Sequence, residues 1–317
     1  MNYRIGSFNV CKLNYAARNP ELGEDTSSRK DYDTLGLIIR ENFHIVALQE
    51  VLNESVLYRL FPPLSGWKYS WAQANNKFSN TDEGYAFAWD TKYITIAKKP
   101  RIWDQYRQDV ILGNIGLYRH PYYGRFIPTG LFGNPFCEIR LINTHIRFQP
   151  QHIPPAFSGS QVALRQREFR VLTENILNNL ASKQYGDHRP AYTFLMGDYN
   201  LNLRVPGNNS PYVDASFVLV ENSGRRKTFV TVQEKKTTIG EVKGQNGEPD
   251  SYRFSSNYDH FTYIENYIDA MCASVETDAI DTVQLYRNGD FDKHRRELSD
   301  HIPIMLELNL RPGASVM

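Results

Sequence analysis

The sequence has almost no net charge, few cysteines and no long apolar run. Thirty-six Lys and Arg residues against 35 Asp and Glu residues leave a formal charge of +1 over 317 residues. Such a balance produces no long-range field for a polyanion or a membrane surface, so any polyanion must be held locally. No apolar stretch reaches about 18 residues, the length of a membrane-spanning helix, and no signal-peptide pattern opens the chain. These absences predict a soluble cytoplasmic protein with no membrane partner.

The three cysteines, Cys11, Cys137 and Cys272, are odd in number and widely spaced. None lies in a CxxC pair or a histidine-rich context, which argues against a disulfide framework and against a zinc site. They are therefore expected to be buried, reduced thiols. With 41% hydrophobic residues, the chain can bury a substantial core.

Apolar segments and helical spacing alternate along the chain. An apolar run at 3–10, a helical pattern at 33–42 and an apolar run at 44–48 give the strand, helix, strand order of α/β proteins. No repeat and no linker rich in Pro, Gly or Ser divides the sequence. One domain is predicted over residues 1–312, with a short tail over 313–317. Further predicted elements are a helix at 160–180 and strands at 84–89, 93–97, 138–143, 192–196, 258–264 and 302–310.

Residues 117–136 and 222–253 are predicted to be surface loops, because Gly, Pro and charged residues interrupt them. The first region contains Tyr122, Tyr123 and Phe126, and the second contains the basic runs 225–227 and 235–236. Solvated connections would explain both regions. Alternatively, their basic residues, with Arg119, Arg125 and Arg147, contact phosphates while the aromatic rings enter a minor groove or stack on an unpaired base.

Polar residues lie at the ends of several predicted strands. Ligands gather at the edge formed by strand termini in α/β sheets, so these residues are expected to share one site. Carboxylates and carboxamides without a thiolate favour Mg²⁺ or Mn²⁺, with Ca²⁺ possible, whereas zinc would need more His or Cys. The residues are Asn9, Glu50, Asp198, Asn200, Asp300 and His301.

Two further segments carry candidate groups for proton transfer. Asn143-Thr144-His145 ends a strand with a histidine, and Tyr258-Asp259-His260 places an aspartate beside aromatic residues. Taken singly, a strand that ends in Asp is more often a turn or a helix cap, and a single histidine is usually structural. The joint order SFN, QE, NTH, GDYN, YDH and SDH spans nearly the whole chain and is hard to obtain by chance.

On these motifs, the chain resembles the endonuclease/exonuclease/phosphatase superfamily and, within it, the deoxyribonuclease I-like branch. The resemblance covers residues 3–310. It implies an α/β fold, a four-layer sandwich of two packed mixed β-sheets flanked by helices. It also implies hydrolysis of phosphate esters with a divalent cation, Mg²⁺ or Mn²⁺.

The resemblance also implies roles for the metal and phosphate groups. Glu50 is similar to the principal metal ligand of the family and Asp300 to a second ligand, while Asn9 would lie near the metal and the phosphate. Asp198 and Asn200 would position the nucleophile and the phosphate.

The histidines are expected to work in two pairs. His301 would contact the scissile phosphate with Asp259 behind it, and His145 would pair with Glu83. A carboxylate partner fixes the tautomer of an imidazole and raises its basicity, and either histidine could be the base. Tyr118-Arg119-His120-Pro121 is similar to the arginine-x-proline element of the family, in which Arg119 would bind phosphate.

Comparison with two sequence motifs of related enzymes narrows the range of expected substrates. Inositol phosphatases of this superfamily carry a Pro-Ala-Trp-Cys-Asp-Arg element at the late aspartate, where this chain has Asn257-Tyr258-Asp259-His260. Abasic-site endonucleases carry a Gly-Trp-Arg run that is absent here. The expected function is therefore an endonuclease that hydrolyses the DNA backbone with little base specificity, with no obligate protein partner. Alternatives are a phosphatase or phosphodiesterase on a phospholipid, an inositol phosphate or RNA, and a non-catalytic DNA-binding module.

Overall fold

The computed structural model describes residues 2–14, 30–74, 83–104, 117–129, 137–148, 160–185, 189–202, 217–220, 223–243, 249–270 and 273–310. The predicted tail at 313–317 and Cys272 lie outside these ranges. The strands are β1 (Asn2–Leu13), β2 (Ile45–Val51), β3 (Trp67–Gln73), β4 (Gly84–Asp90), β5 (Ile94–Ile102), β6 (Tyr122–Pro128), β7 (Glu138–His145), β8 (Ala191–Asp198), β9 (Phe217–Val220), β10 (Arg226–Val232), β11 (Ile239–Lys243), β12 (Pro249–Phe254), β13 (Asp259–Ile264), β14 (Ala273–Ala279) and β15 (Ile304–Leu310). The α-helices are α1 (Tyr32–Asn42), α2 (Leu57–Leu60), α3 (Gln161–Arg170), α4 (Asn178–Ser182), α5 (Glu265–Ala270), α6 (Thr282–Arg287) and α7 (Phe291–Glu297). A 3₁₀ turn (Glu54–Val56) precedes α2, and a π-helical segment (Val171–Leu177) joins α3 to α4.

The strands form two large mixed sheets and one hairpin. The first sheet has the order β14-β15-β1-β2-β4-β3, and the second has the order β5-β6-β7-β8-β13-β10-β9. The parallel pairs are β1 with β2 and β7 with β8. Strands β11 and β12 pair separately as an antiparallel hairpin. In the described ranges, no helix is long and apolar enough to cross a membrane.

The main core lies between the two sheets, because alternate side chains of their strands point toward each other. Ile5 and Phe87 of the first sheet are fully buried there together with Leu141 and Phe194 of the second. Helices cover the outer faces. The apolar stripe of α1 packs against Phe8 and other outward residues of the first sheet, and the π-helical segment packs against the outer face of the second. The predicted four-layer sandwich of two mixed sheets flanked by helices is therefore confirmed.

The described parts of the two predicted loop regions contain four strands, so the prediction was wrong there, while residues 130–136, 222 and 244–248 lie outside the described residues. Residues 122–128 form β6 inside the second sheet, and residues 226–232, 239–243 and 249–254 form β10, β11 and β12. Strand β6 lacks the apolar and polar alternation of a half-exposed strand because both of its faces are buried. Gly124 and Pro128, which are residue types typical of loops, also favoured the prediction of a loop.

The aromatic residues of β6 cannot contact DNA, which corrects a second prediction. Tyr122 and Phe126 are fully buried in the core between the sheets, and Tyr123 packs edge-on against Trp103. Two of the proposed phosphate contacts are also occupied: Arg125 makes a two-pronged ion pair with Glu138. Lys227 is buried and donates to Asn178 Oδ1 at 2.6 Å.

At Gly197 the backbone of β8 lies very close to the backbone of its parallel neighbour β7. Replacement of Gly197 by alanine tests whether this close approach requires a glycine. The residue has φ +142°, and an added Cβ would lie 1.9 Å from the Thr144 carbonyl oxygen. Because backbone cannot move away cheaply, G197A is expected to lower the free energy of unfolding by about 3 kcal/mol. Gly66, with φ +77° and nothing within 4 Å of an added Cβ, is the control, and G66A should cost only about 1 kcal/mol. Urea denaturation measures both; equal losses would contradict the crowding at Gly197.

Candidate active site

Strand pairing brings the predicted residues to one end of the sandwich. In the second sheet, Asp198 at the end of β8 lies opposite both His145 of β7 and Asp259 of β13. In the first sheet, Asn9 of β1 and Glu50 of β2 lie where the regular parallel pairing of these two strands ends. One row of chemistry-bearing groups thus faces another across the gap between the sheets.

One oxygen of Asp198 is the centre of the cluster. Its Oδ2 accepts a hydrogen bond from Asn9 Nδ2 at 3.1 Å. The same atom lies 3.5 Å from His145 Nε2 and 3.7 Å from His301 Nε2. Burial raises the pKa of Asp198 to about 6, although the two histidines act in the opposite direction. A single carboxylate therefore faces two imidazoles and one amide.

Asn200 fixes the other oxygen of that carboxylate. The Asn200 backbone N–H donates to Asp198 Oδ1 at 2.8 Å, while its side-chain Nδ2 donates to the Ile146 carbonyl at 2.8 Å. Its φ of +50° lies in the left-handed region, which asparagine tolerates better than most residues. The GDYN segment therefore orients the catalytic candidate Asp198 through its own backbone.

Glu50 is held by an irregular stretch of β1. The pairing of β1 with β2 shifts between Asn9 and Leu13, and both Cys11 and Lys12 have positive φ. This bulge turns the Lys12 N–H toward Glu50 Oε2 at 3.0 Å, while Asn9 Nδ2 donates to Glu50 Oε1 at 3.0 Å. Bulges commonly re-aim a strand next to a functional site.

His301 forms the tighter of the two predicted pairs. Its Nδ1 lies 2.8 Å from Asp259 Oδ2. Burial lowers the pKa of His301, but the carboxylates of Asp259 and Asp198 outweigh it and raise the pKa well above its usual range. Ser299 connects this pair to the first sheet, because its hydroxyl accepts from the His301 N–H at 3.0 Å and donates to the Asn9 carbonyl at 2.7 Å.

The second predicted pair is looser, because an arginine competes for its carboxylate. Glu83 Oε2 lies 3.4 Å from His145 Nδ1 but only 2.5 Å from Arg119 Nη2. Burial raises the pKa of Glu83, yet His145 and Arg119 lower it to about 2, so the carboxylate is ionised. The arginine of the arginine-x-proline element thus lies at the site, where Glu83 joins it to His145.

Asp300 lies near a half-buried cation, Lys30, for which the sequence predicted no role. Lys30 Nζ donates to the carbonyls of Val10 and Leu298 at 3.2 and 2.6 Å. Burial lowers the pKa of Lys30, while Cys11, Asp300 and Glu50 act in the opposite direction, which places Lys30 near both predicted metal ligands. Its only sequence signal is a position just before α1, far from any motif.

The residues present suit a hard cation with few protein ligands. Across the described ranges, no group of three His, Cys, Asp or Glu side chains could hold a metal. Two carboxylates, Glu50 and Asp300, remain, with the Asn9 amide beside the first. Mg²⁺ is commonly bound by one or two carboxylates, with water and substrate phosphate completing its shell. Oxygen donors of this kind are those that Mg²⁺ prefers, whereas structural zinc would need about four ligands, mostly His or Cys.

Buried polar residues beneath the site join the two sheets. Gln49 of β2 donates to Asn143 Oδ1 at 2.7 Å, and Asn143 of β7 returns a bond to the Leu48 carbonyl at 2.9 Å. Gln49 and Asn143 belong to the QE and NTH motifs, but the sequence predicted no role for either residue. They hold β2 and β7 at a fixed separation, which positions Glu50 opposite His145.

Glu168 of α3 supports the segment that carries Arg119. Its Oε1 accepts from the Tyr118 N–H at 3.1 Å, and the Arg119 backbone N–H also donates to this carboxyl group. The side chain is 7% exposed, and burial raises its pKa to about 7 from an ordinary 4.5. From the sequence, helical spacing predicts only that Glu168 belongs to an amphipathic helix.

The raised pKa of Glu168 predicts a pH-dependent stability. Between about pH 4.5 and 7 the folded protein keeps a proton that the unfolded chain releases, so stability falls as pH rises through this window. The E168Q variant remains neutral throughout. The free energy of unfolding of E168Q, relative to that of the parent, should therefore rise by about 3 kcal/mol between pH 4.5 and 7. Urea denaturation at several pH values measures this difference. A constant difference between the two proteins would contradict this prediction.

Comparisons with known proteins agree on the fold. No protein-family model matches the chain, and no curated protein matches its sequence. Among solved structures, an endonuclease/exonuclease/phosphatase from Bacteroides vulgatus is 14% identical with a TM-score of 0.54, over 98% of this chain and 100% of that one. A family protein from Bacteroides thetaiotaomicron is 15% identical with a TM-score of 0.50, over 99% of both chains.

A third similar structure is that of ANGEL2, a 2′,3′-cyclic phosphatase, in complex with adenosine-2′,3′-vanadate. It is 13% identical with a TM-score of 0.52, over 98% of this chain and 96% of that one. Because identities this low carry structural rather than functional information, the shared property is the arrangement of the two sheets. The chain has the fold of the endonuclease/exonuclease/phosphatase superfamily.

Proposed function

We propose that this chain is a divalent-metal-dependent phosphodiester hydrolase, an endonuclease that cuts the DNA backbone with little base specificity. The observation that carries the proposal is the position of Asp198 Oδ2, within 3.7 Å of both His145 Nε2 and His301 Nε2 and bonded to Asn9. A buried carboxylate that faces two imidazoles suits proton transfer at an anionic substrate better than it suits packing.

Attack on a phosphodiester needs an oriented water and a partner for its proton. Asp198 is ionised above about pH 6 and can accept a hydrogen bond from a water that lies in line with the scissile bond. Asn200 holds Oδ1 through its N–H, so Oδ2 is the oxygen that turns to this water. Asp198 and Asn200 would thereby orient the nucleophile.

The phosphate oxygens need positive donors. Burial lowers the pKa of His301, but the carboxylates of Asp259 and Asp198 raise it well above its usual range. This favours the imidazolium, whose Nε2–H can donate to a phosphate oxygen while Asp259 holds Nδ1. Arg119 carries a permanent charge on the opposite side, beside Glu83 and His145. Donors placed where charge develops stabilise the transition state.

Glu50 and Asp300 would hold the cation, which we propose to be Mg²⁺, with Mn²⁺ as a substitute. When bound, such an ion neutralises charge on the phosphate and on the leaving oxygen. The chain supplies the pocket walls and their orientation: the β1 bulge aims Glu50, and Lys30 lies beside Asp300. DNA recognition through the backbone would rest on Arg119 and on the exposed Arg225 and Arg226, since Arg125 and Lys227 are occupied.

A cleavage panel tests the proposal. Supercoiled plasmid is incubated with the protein and Mg²⁺ or Mn²⁺, with and without EDTA, beside RNA, a phospholipid and an inositol phosphate. We expect metal-dependent nicking of the plasmid. Release of phosphate from a lipid or an inositol phosphate, with the DNA left intact, would show that the protein is a phosphatase and not a nuclease. DNA binding without any turnover would show that it is a non-catalytic DNA-binding module.

A further inference from the structure

An exposed aromatic ring lies next to the proposed active site. Phe148 comes three residues after His145, and its side chain is 44% exposed. Tyr258, which directly precedes Asp259, lies beside it with the ring centroids 6.2 Å apart and the planes tilted by 43°. Both rings therefore extend from the segments that carry His145 and Asp259.

The buried guanidinium of Arg165 lies over the Phe148 ring. Its Cζ is 4.6 Å from the ring centroid, and its Nη1 donates to the Phe148 carbonyl at 2.6 Å. Burial lowers the pKa of Arg165, while Tyr258 and Asp198 act in the opposite direction, so its charge lies near both the aromatic pair and the catalytic cluster.

Packing alone does not account for this arginine. Arg165 is 7% exposed, yet its Nε has no hydrogen-bond partner among the residues that the structure describes. Burying an unpaired donor is unfavourable, and leaving a large aromatic ring open to water gains nothing for stability. A guanidinium over a half-exposed aromatic ring is instead an arrangement suited to stacking a flat ligand.

We propose that Phe148, Tyr258 and Arg165 form a subsite that stacks the nucleobase adjacent to the scissile phosphate. The inference rests on the proposed function, because the phosphate is placed by the Asp198 cluster. Every base has a flat π face, so stacking on Phe148 binds the substrate without selecting its sequence. The subsite thus adds affinity for an unpaired or splayed base while keeping base specificity low.

A binding experiment tests the subsite without requiring cleavage. Fluorescein-labelled dT₁₀ and a ten-unit chain of abasic tetrahydrofuran phosphates carry the same backbone charge, and their anisotropy is titrated with protein in EDTA. The parent should bind dT₁₀ about tenfold more tightly than the abasic chain. In F148A this preference should disappear, and in F148W it should remain. L285A, which truncates an exposed apolar residue of α6, should retain the preference.

Cleavage then locates the base relative to the cut. The dinucleotide TpT and its two abasic forms, lacking either the 5′ or the 3′ base, each contain one scissile bond. F148A should lower kcat/KM about tenfold on TpT and leave it unchanged on the form that lacks the stacked base. Equal binding of dT₁₀ and the abasic chain by the parent, or a preference that survives in F148A, would overturn the subsite. A base preference that depends on Phe148 in a protein unable to cut DNA would instead retain the subsite and reject the nuclease.

Discussion

Replacement of Asp198 by asparagine is expected to lower kcat/KM for plasmid nicking by about 10³-fold, within the range of a lost proton acceptor. The carboxylate offers two acceptor oxygens, and both are used: Oδ1 takes the Asn200 N–H and Oδ2 takes the Asn9 amide. An asparagine retains only one acceptor. Its NH₂ group would face either Asn200 or Asn9, donor against donor, and could not accept a proton from water.

The matched control is D278N. Asp278 is an exposed aspartate of β14 that pairs with Lys235, so the same chemical change there removes only a surface ion pair, worth about 1 kcal/mol or less. Initial nicking rates in Mg²⁺ are measured for both variants, and circular dichroism establishes that each is folded. Nicking by D198N within tenfold of the parent would show that Asp198 does not orient the attacking group.

Residues around Asp198 illustrate what the sequence predicts well. The apolar run 192–196, followed by Gly197 and Asp198, is a buried strand that terminates in a carboxylate, and the structure has that strand as β8. Periodicity and burial are local properties, so strands such as β8 and helices such as α1 are readable from a short window. The motif order then implied which strand ends meet.

Three kinds of feature escaped that reasoning. Strand β6 is buried on both faces and contains Gly and Pro, so it lacks the period of two by which a strand is recognised. Pair geometry was also hidden: Glu83 and His145 are neighbours, but the 2.5 Å contact of Glu83 is with Arg119. Competition between two cations for one carboxylate depends on three-dimensional distances that spacing along the chain does not encode.

Long-range partners without a motif form the third gap. Lys30 and Glu168 lie on or near helices whose sequence patterns predict only which face is buried and which is exposed. Each nevertheless hydrogen-bonds main-chain atoms of a segment that carries candidate site residues. Lys30 bonds the carbonyls of Val10 and Leu298, which lie two residues from Lys12 and Asp300 respectively. Such supports become visible only when the backbone path is known, because the groups that they hold are main-chain atoms.

Replacement of Glu50 by glutamine is expected to weaken binding of the cation and, with it, cleavage. With Glu50 neutral, Asp300 is the one carboxylate left of the predicted ligand pair, and the glutamine NH₂ would face either Asn9 Nδ2 or the Lys12 N–H, both donors. Loss of a direct ligand should exceed the 10- to 100-fold cost known for supporting residues, so Mn²⁺ affinity should fall by more than about 100-fold. Cleavage should fall by about 10³-fold, because the cation neutralises the phosphate.

Mn²⁺ binding is followed by electron paramagnetic resonance, which reports the free ion and does not depend on turnover. E276Q, the same substitution at an exposed glutamate of β14, is the control and should bind Mn²⁺ as the parent does. If E50Q binds Mn²⁺ as tightly as E276Q while cleavage is lost, Glu50 acts on the substrate or on Asn9 and the cation lies elsewhere. If both binding and cleavage fall together, and D300N behaves alike, the cation lies between β2 and the turn before β15, within reach of the phosphate that Asp198 and His301 face.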